Sequence, residues 1–237
     1  MKIIGVVARP YYNKDNQKMY QIHEQTRRLL TKYEDVICLP LIPQEDINYL
    51  DIEVGKDLIN KEKLDNLLDM CDGFILPGGT YSYNFDEYII KHSIERDKPL
   101  LSICLGFQAL CSLYAKERSK FDMTSKVGNE SHYGKATDYI HNVRILQNTR
   151  LYELLNSQII PVNSVHHDKV DFEMNELVIN AISEDGIIEG IEYPNKNFII
   201  GVQWHPEYLN DIYSERLMNA YMESIELSKK KQKRRLR

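Results

Sequence analysis

The chain has 237 residues, of which 43% are apolar and 27% charged, the proportions of a globular domain that buries a substantial core. Its formal net charge is -5, and seven of its 30 basic residues lie in positions 229–237, so the rest is acidic and a poor match for nucleic acid. No apolar run is long enough to span a membrane or to act as a signal peptide. The four cysteines form no close pair, which argues against structural zinc and favours reduced thiols. We therefore expect a cytoplasmic protein.

Strand and helix patterns alternate through the first half of the sequence. Strands are predicted at 3–8, 36–39, 73–76 and 100–103, and helices at 19–32, 61–70, 85–96 and 105–116. This alternation predicts an α/β fold of the flavodoxin-like type, with a mostly parallel central sheet and helices on both faces.

The second half is richer in strands. They are predicted at 142–146, 159–163, 177–183, 187–193 and 198–203, before a closing helix at 212–228. Turn signals separate the later strands, which favours antiparallel additions to the same sheet. We therefore expect a single domain over 1–228 and a basic tail over 229–237. The tail is interpreted as a solvated extension of the last helix. The alternative is that it contacts an acidic surface or RNA.

Four predicted strands end on residues that can carry chemistry. The first stops at Arg9, the third at Pro77-Gly78-Gly79, the fourth at Cys104, and the last near His205-Pro206-Glu207. Because open α/β sheets bind ligands beyond the carboxyl ends of their strands, we expect these segments to converge on one crevice.

The segment around Cys104 has the layout of a nucleophile elbow. Small residues, Ser102 and Gly106, stand two positions before and after the thiol, between a predicted strand and helix. The helix N-terminus would favour the thiolate, and the N–H of Leu105 would face a developing oxyanion. A buried structural cysteine is the alternative that this segment alone leaves open.

His205 and Glu207 follow the last strand and complete a set of groups for thiol chemistry. An imidazole can take the thiol proton, and a carboxylate can orient that imidazole. The paired glycines Gly78 and Gly79 permit close approach of the backbone to a ligand, and the Gly79 N–H is a candidate second oxyanion donor. The alternative for His205 and Glu207 is a surface loop, and the alternative for Gly78 and Gly79 is an ordinary tight turn.

A polar cluster, Asn163-Ser164-Val165-His166-His167, follows another apolar strand. Its amide and hydroxyl groups could hold the α-amino and α-carboxylate groups of an amino acid. The same residue types also favour turns and helix caps, so that interpretation stays open.

Together these segments resemble the class I glutamine amidotransferase-like superfamily, and within it the γ-glutamyl-γ-aminobutyrate hydrolase family. The resemblance rests on Pro77-Gly78-Gly79, Cys104-Leu105-Gly106-Phe107-Gln108, the Asn163–His167 cluster and Gly201-Val202-Gln203-Trp204-His205-Pro206-Glu207, in this order.

The resemblance implies a triad of Cys104 as nucleophile, His205 as base and Glu207 as orienting group, acting through a glutamyl thioester. It implies oxyanion donors at Gly79 and Leu105 and a small-molecule γ-glutamyl substrate near Gly78, Gln108, Asn163, Ser164 and His166. It implies no metal and no organic cofactor.

Two segments depart from the family pattern, at 80–86 and 115–121. The first is short and aromatic, and Tyr81, Tyr83 and Phe85 are predicted to line the pocket of the leaving amine, where they could contact a cationic group. The identity of that amine is not readable from the sequence.

Three other functions compete with this one. A glutaminase subunit would use the same chemistry and pass ammonia to a synthetase partner, and a binding protein would use the scaffold without catalysis. A metal hydrolase would need His132, His141, His166, His167 and His205, but their spacing matches no ligand motif, so scattered surface histidines are favoured. The oligomeric state, including a homodimer, stays open.

Overall fold

The computed structural model describes residues 1–43, 61–80, 84–116, 124–126 and 132–235. Its strands are β1 Lys2–Val7, β2 Arg9–Tyr12, β3 Lys18–Gln21, β4 Val36–Leu41, β5 Gly73–Leu76, β6 Leu100–Ile103, β7 Thr124–Lys126, β8 His141–Ile145, β9 Ile159–Val162, β10 Asp168–Val170, β11 Val178–Ser183, β12 Ile188–Glu192 and β13 Ile199–Val202. Its helices are α1 Glu24–Thr31, α2 Lys61–Asp69, α3 Asn84–Arg96, α4 Leu105–Leu113, α5 Arg150–Leu155 and α6 Ile212–Arg235.

A nine-stranded sheet organises the fold, in the order β4-β1-β5-β6-β13-β12-β11-β8-β9. The first five strands in this order are parallel, and each of the remaining four pairs antiparallel with its neighbour. The predicted α/β fold with antiparallel additions in the second half is confirmed.

Helices cover both faces of the sheet. Leu30 of α1, Leu151 of α5 and Tyr221 of α6 belong to the buried cluster on one face. The other face is covered by α2, α3 and α4, with Phe85 and Phe107 fully buried there. Strands β5, β6 and β13 are buried along their whole length, which explains their unbroken apolar sequences.

The strand ends that carry chemistry lie side by side. Strands β1, β5, β6 and β13 are consecutive in the sheet, and the register aligns Leu76 with Ser102 and Val202 with Ile103. The residues that follow them therefore meet at one edge, as the sequence predicted.

One predicted helix is wrong in its first part. Residues 18–21 form β3, which pairs antiparallel with β2, and α1 begins only at Glu24. The turn between β2 and β3 is closed by the Asn13 side chain, whose Oδ1 accepts from the N–H groups of Asp15 and Gln17. The hairpin forms in place of a helix because the Asn13 side chain satisfies two backbone N–H groups of its turn.

Helix α6 continues past the predicted end at 228 to Arg235, so it extends into the basic tail. Lys229, at the start of the basic tail, donates to Met1 O and Asp72 Oδ2, both at 2.8 Å. Among the described residues, no helix combines the length and apolar character needed to cross a bilayer.

Gly106 provides a test of how closely α4 packs on the sheet. A Cβ atom at this position would lie 2.3 Å from Leu76 O and 2.6 Å from Leu76 Cβ. We expect Gly106→Ala to lower the melting temperature by about 4–10 °C, although Gly→Ala inside a helix normally stabilises. Differential scanning calorimetry measures the shift.

The matched control is Gly186→Ala, where a Cβ would meet no atom within 4 Å and only the positive φ of 87° opposes the side chain. This change should cost about 1 kcal/mol. Equal melting temperatures for Gly106→Ala and the unmodified protein would contradict the close contact.

Candidate active site

Cys104 occupies a strained turn between β6 and α4. Its φ of 50° is positive, although it is not a glycine, and its N–H donates to Val202 O at 2.9 Å. The helix begins at the next residue, so its N-terminal N–H groups open beside the thiol. Residues held in this backbone region cluster at functional sites, and the geometry is that of a nucleophile elbow.

His205 stands beside this cysteine at the end of β13. Its ring lies beside Cys104 at the position that a Gly78 side chain would occupy, and its Nδ1 lies 2.8 Å from Glu207 Oε1. Burial lowers the pKa of His205, but the Glu207 carboxylate and Cys104 raise it by more, so the net pKa is well above the ordinary value. A protonated imidazole beside Sγ supplies the positive charge that a thiolate requires.

The loop Pro77–Gly79 closes the other side of the elbow. A Cβ on Gly78 would lie 2.7 Å from His205 Cε1 and 3.4 Å from Cys104 Cβ, so only glycine fits without displacing the ring. A Cβ on Gly79 would lie 3.3 Å from the side chain of Leu105. The two residues predicted as oxyanion donors are therefore neighbours next to Cys104.

Arg9 holds this loop from beneath, a role that the sequence reasoning missed. Its Nη1 bonds both carboxylate oxygens of Asp86, at 2.9 and 2.7 Å, and its Nε and Nη2 donate to Pro77 O. Arg9 is 3% exposed and Asp86 fully buried. The sequence signal for this role is an arginine at the carboxyl end of a buried strand, among the segments predicted to converge.

Asn163 fixes the backbone of the candidate base. Its Nδ2 donates to His205 O and its Oδ1 accepts from His205 N, both at 2.8 Å. Ser164 Oγ donates to His132 O at 2.5 Å, and both residues are fully buried. The polar groups of these side chains are thus engaged within the protein, and a contact with substrate stays a prediction.

The histidines are not scattered over the surface, which corrects the sequence interpretation. His132, His141 and His166 come together around the buried carboxylate of Glu189. In the segment Asn163–His167, only His167 is exposed, and its ring stacks on Tyr133. His166, predicted near the substrate, belongs to this cluster, whose members share no sequence spacing.

The remaining predicted residues have mixed outcomes. Gln108 Nε2 donates to Gln203 Oε1 at 3.1 Å, and its substrate contact stays a prediction. Tyr81 and Tyr83 lie outside the described residues. Phe85 is 1% exposed in the core between α3 and the sheet, so its predicted place in an amine pocket is wrong.

Comparison with known proteins finds relatives named as glutamine amidotransferase-like proteins and γ-glutamyl hydrolases. The Peptidase C26 family pattern matches residues 82–207. A glutamine amidotransferase-like protein of Rickettsia prowazekii is 28% identical over 63% of this chain and 75% of its own length. The γ-glutamyl-γ-aminobutyrate hydrolase PuuD of Escherichia coli is 29% identical over 70% of this chain and 75% of its own length. Matches to some other relatives span only about half of their length.

Solved structures share the fold. The glutaminase domain of CTPS from Trypanosoma brucei superposes with a TM-score of 0.67, at 16% identity, over 97% of this chain and 94% of that domain.

The environments of Cys71, Cys104 and Cys111 predict that alkylation is selective. Burial raises the pKa of Cys71 to about 11, and that of Cys111 well above its ordinary value. Iodoacetamide at neutral pH should therefore alkylate Cys104 much faster than either. Peptide mass spectrometry over time measures the rates.

Glu207→Gln is the informative variant, because it removes the carboxylate that raises the pKa of His205. Less imidazolium then remains at neutral pH, and Cys104 should alkylate more slowly, on the order of tenfold. An unchanged rate would show that the ring does not activate the thiol.

The Arg9–Asp86 pair predicts a coupled loss of stability and activity. Arg9→Gln removes the cationic group that bonds both oxygens of the buried Asp86 carboxylate, which should cost about 3–5 kcal/mol of unfolding free energy. Arg9→Lys keeps the charge but not the paired geometry, so it should restore stability better than turnover. Urea unfolding and steady-state kinetics measure both, and full turnover in Arg9→Gln would contradict a role in holding the loop.

Proposed function

This chain belongs to the Peptidase C26 family of cysteine-nucleophile hydrolases, and we propose that it cleaves the side-chain amide of a small γ-glutamyl compound through Cys104, His205 and Glu207. The observation that carries the proposal is the position of Cys104, in its strained turn, beside the buried His205–Glu207 pair. A thiol, a base and a group that orients the base are the components of thiol acyl transfer.

In the first step, Cys104 Sγ attacks the carbonyl carbon of the γ-glutamyl amide. The N–H groups of Gly79 and Leu105 bind the oxyanion that forms. When the carbon–nitrogen bond breaks, His205 gives its proton to the departing amine. The products are a free amine and a γ-glutamyl thioester on Cys104.

In the second step, water attacks the thioester. His205, now neutral, accepts the proton of the water, and the carbon–sulfur bond breaks to release glutamate. Glu207 keeps Nδ1 of the ring engaged throughout, so that the opposite nitrogen faces the reacting atoms. Asn163 acts as a positioning residue, because it fixes the backbone from which His205 projects.

The γ-glutamyl group is supported as the recognised half of the substrate by the name of the Escherichia coli relative. The leaving amine is less well defined, because Tyr81 and Tyr83, which are predicted to line its pocket, lie outside the described residues. We propose a small primary amine, with γ-aminobutyrate and polyamine derivatives as the first candidates.

A second candidate is glutamine itself, with ammonia passed to a synthetase partner. The name of the Rickettsia prowazekii relative favours it. The chemistry at Cys104 would be the same, but a glutaminase of this kind would turn over slowly without its partner.

Glutamate release from a panel of γ-glutamyl amides and glutamine tests the proposal. We expect the purified chain alone to hydrolyse at least one γ-glutamyl amide, and Cys104→Ala to lose about 10³-fold or more in kcat. Cys38→Ala is the matched control, because Cys38 lies on β4, three strands from β6, and should leave kcat unchanged.

The other outcomes separate the alternatives. Slow release from glutamine alone would favour the partner-dependent glutaminase. No release from any compound, with Cys104 inert to iodoacetamide, would overturn the enzyme proposal in favour of a binding protein.

A further inference from the structure

Four ligand-type side chains meet away from the proposed triad. His132 precedes β8, His141 begins β8, His166 follows β9, and Glu189 lies in β12. One nitrogen of each histidine and one carboxylate oxygen all lie within 4.8 Å of one another. Three of the four residues are buried, and Glu189 is fully so.

Four of the six separations between the ligand atoms are close to those of a tetrahedral metal site, and all six are within 4.8 Å. His132 Nδ1 lies 3.3 Å from His166 Nε2, and Glu189 Oε1 lies 3.2, 3.4 and 3.7 Å from His132 Nδ1, His166 Nε2 and His141 Nε2. With metal–ligand bonds of about 2.0–2.1 Å, neighbouring ligand atoms in a tetrahedron lie about 3.3 Å apart. A cation at the centre would therefore require only small adjustments.

The second nitrogen of each histidine has an acceptor on the outside of the cluster. His132 Nε2 lies 3.2 Å from Asp185 Oδ2, His166 Nδ1 lies 2.9 Å from Asp168 O, and His141 Nδ1 lies 3.2 Å from Asn142 O. An N–H on each outer nitrogen leaves the inner one with its lone pair. Metal-binding histidines are held in this way by their outer hydrogen bonds.

Two of the four inner groups have no hydrogen-bond partner among the described residues. Neither carboxylate oxygen of Glu189 has a hydrogen bond, and neither does His141 Nε2. A buried carboxylate without hydrogen bonds is costly, and when each histidine carries its proton on the outer nitrogen, three lone pairs face the carboxylate and add repulsion. A cation at the centre resolves both problems at once.

We propose that His132, His141, His166 and Glu189 bind one divalent transition-metal ion, of which Zn²⁺ suits three imidazoles and one carboxylate best. Four protein ligands fill a tetrahedron and leave no position for a substrate, so the ion is structural. It ties β8 and β12 to the segment that carries Asn163, which fixes His205. The site is independent of the proposed function.

Metal content of the full chain, prepared without a histidine tag or chelators from zinc-supplemented medium, tests the proposal. Inductively coupled plasma mass spectrometry should find about one equivalent of zinc. After chelation, Zn²⁺ at about 100 times its dissociation constant should raise the melting temperature by about 5–10 °C.

Variants assign the metal to these residues. His141→Asn and Glu189→Gln should each lose the zinc and the thermal shift, whereas His167→Asn, next to His166 but exposed, should keep both. Cys104→Ser should also keep both, which excludes zinc held by the thiol. Circular dichroism in chelator checks that the variants fold.

Two results would overturn the proposal. One is a wild-type chain that takes up far less than one equivalent and shows no thermal shift with Zn²⁺, which would leave the cluster as a proton-shared network. The other is zinc retained at wild-type affinity in His141→Asn and Glu189→Gln, which would place the ion elsewhere. Neither result bears on glutamate release from γ-glutamyl amides.

Discussion

The contact between Gly106 and the carbonyl group of Leu76 is the constraint on which the site depends. Because the first turn of α4 lies directly against β5, the chain has no room for a loop between β6 and the helix. The turn is made by a single residue, Cys104, at a positive φ. The side chain is thereby lifted above the sheet with the open N-terminus of α4 beside it.

The second half of the chain supplies the groups that surround this cysteine. Strand β13 pairs with β6 in parallel register, and His205 and Glu207 follow directly from its end. Asn163 links His205 to the end of β9, at the far edge of the sheet, through two hydrogen bonds. The parallel and antiparallel halves therefore both contribute residues to the candidate site, and the proposed metal at the histidine cluster would stabilise the antiparallel part.

The parallel core was predictable because β5, β6 and β13 are buried on both faces and have continuous apolar sequences. The hairpin of β2 and β3 was missed because its turn depends on side-chain hydrogen bonds of Asn13 that no periodicity reveals. Short α5 was missed although Thr149 caps it, since one cap and six residues give a weak pattern. The histidine cluster was missed because sheet order alone brings its four segments together.

The position of β13 inside the sheet has a consequence for biosynthesis. It lies between β6 and β12, so it cannot be added at an edge, and it pairs with a strand about 100 residues earlier in the chain. Contacts this distant in sequence form late. A growing chain on the ribosome carries Cys104 long before His205 has been synthesised, and the nucleophile stays without its base until the domain is nearly complete.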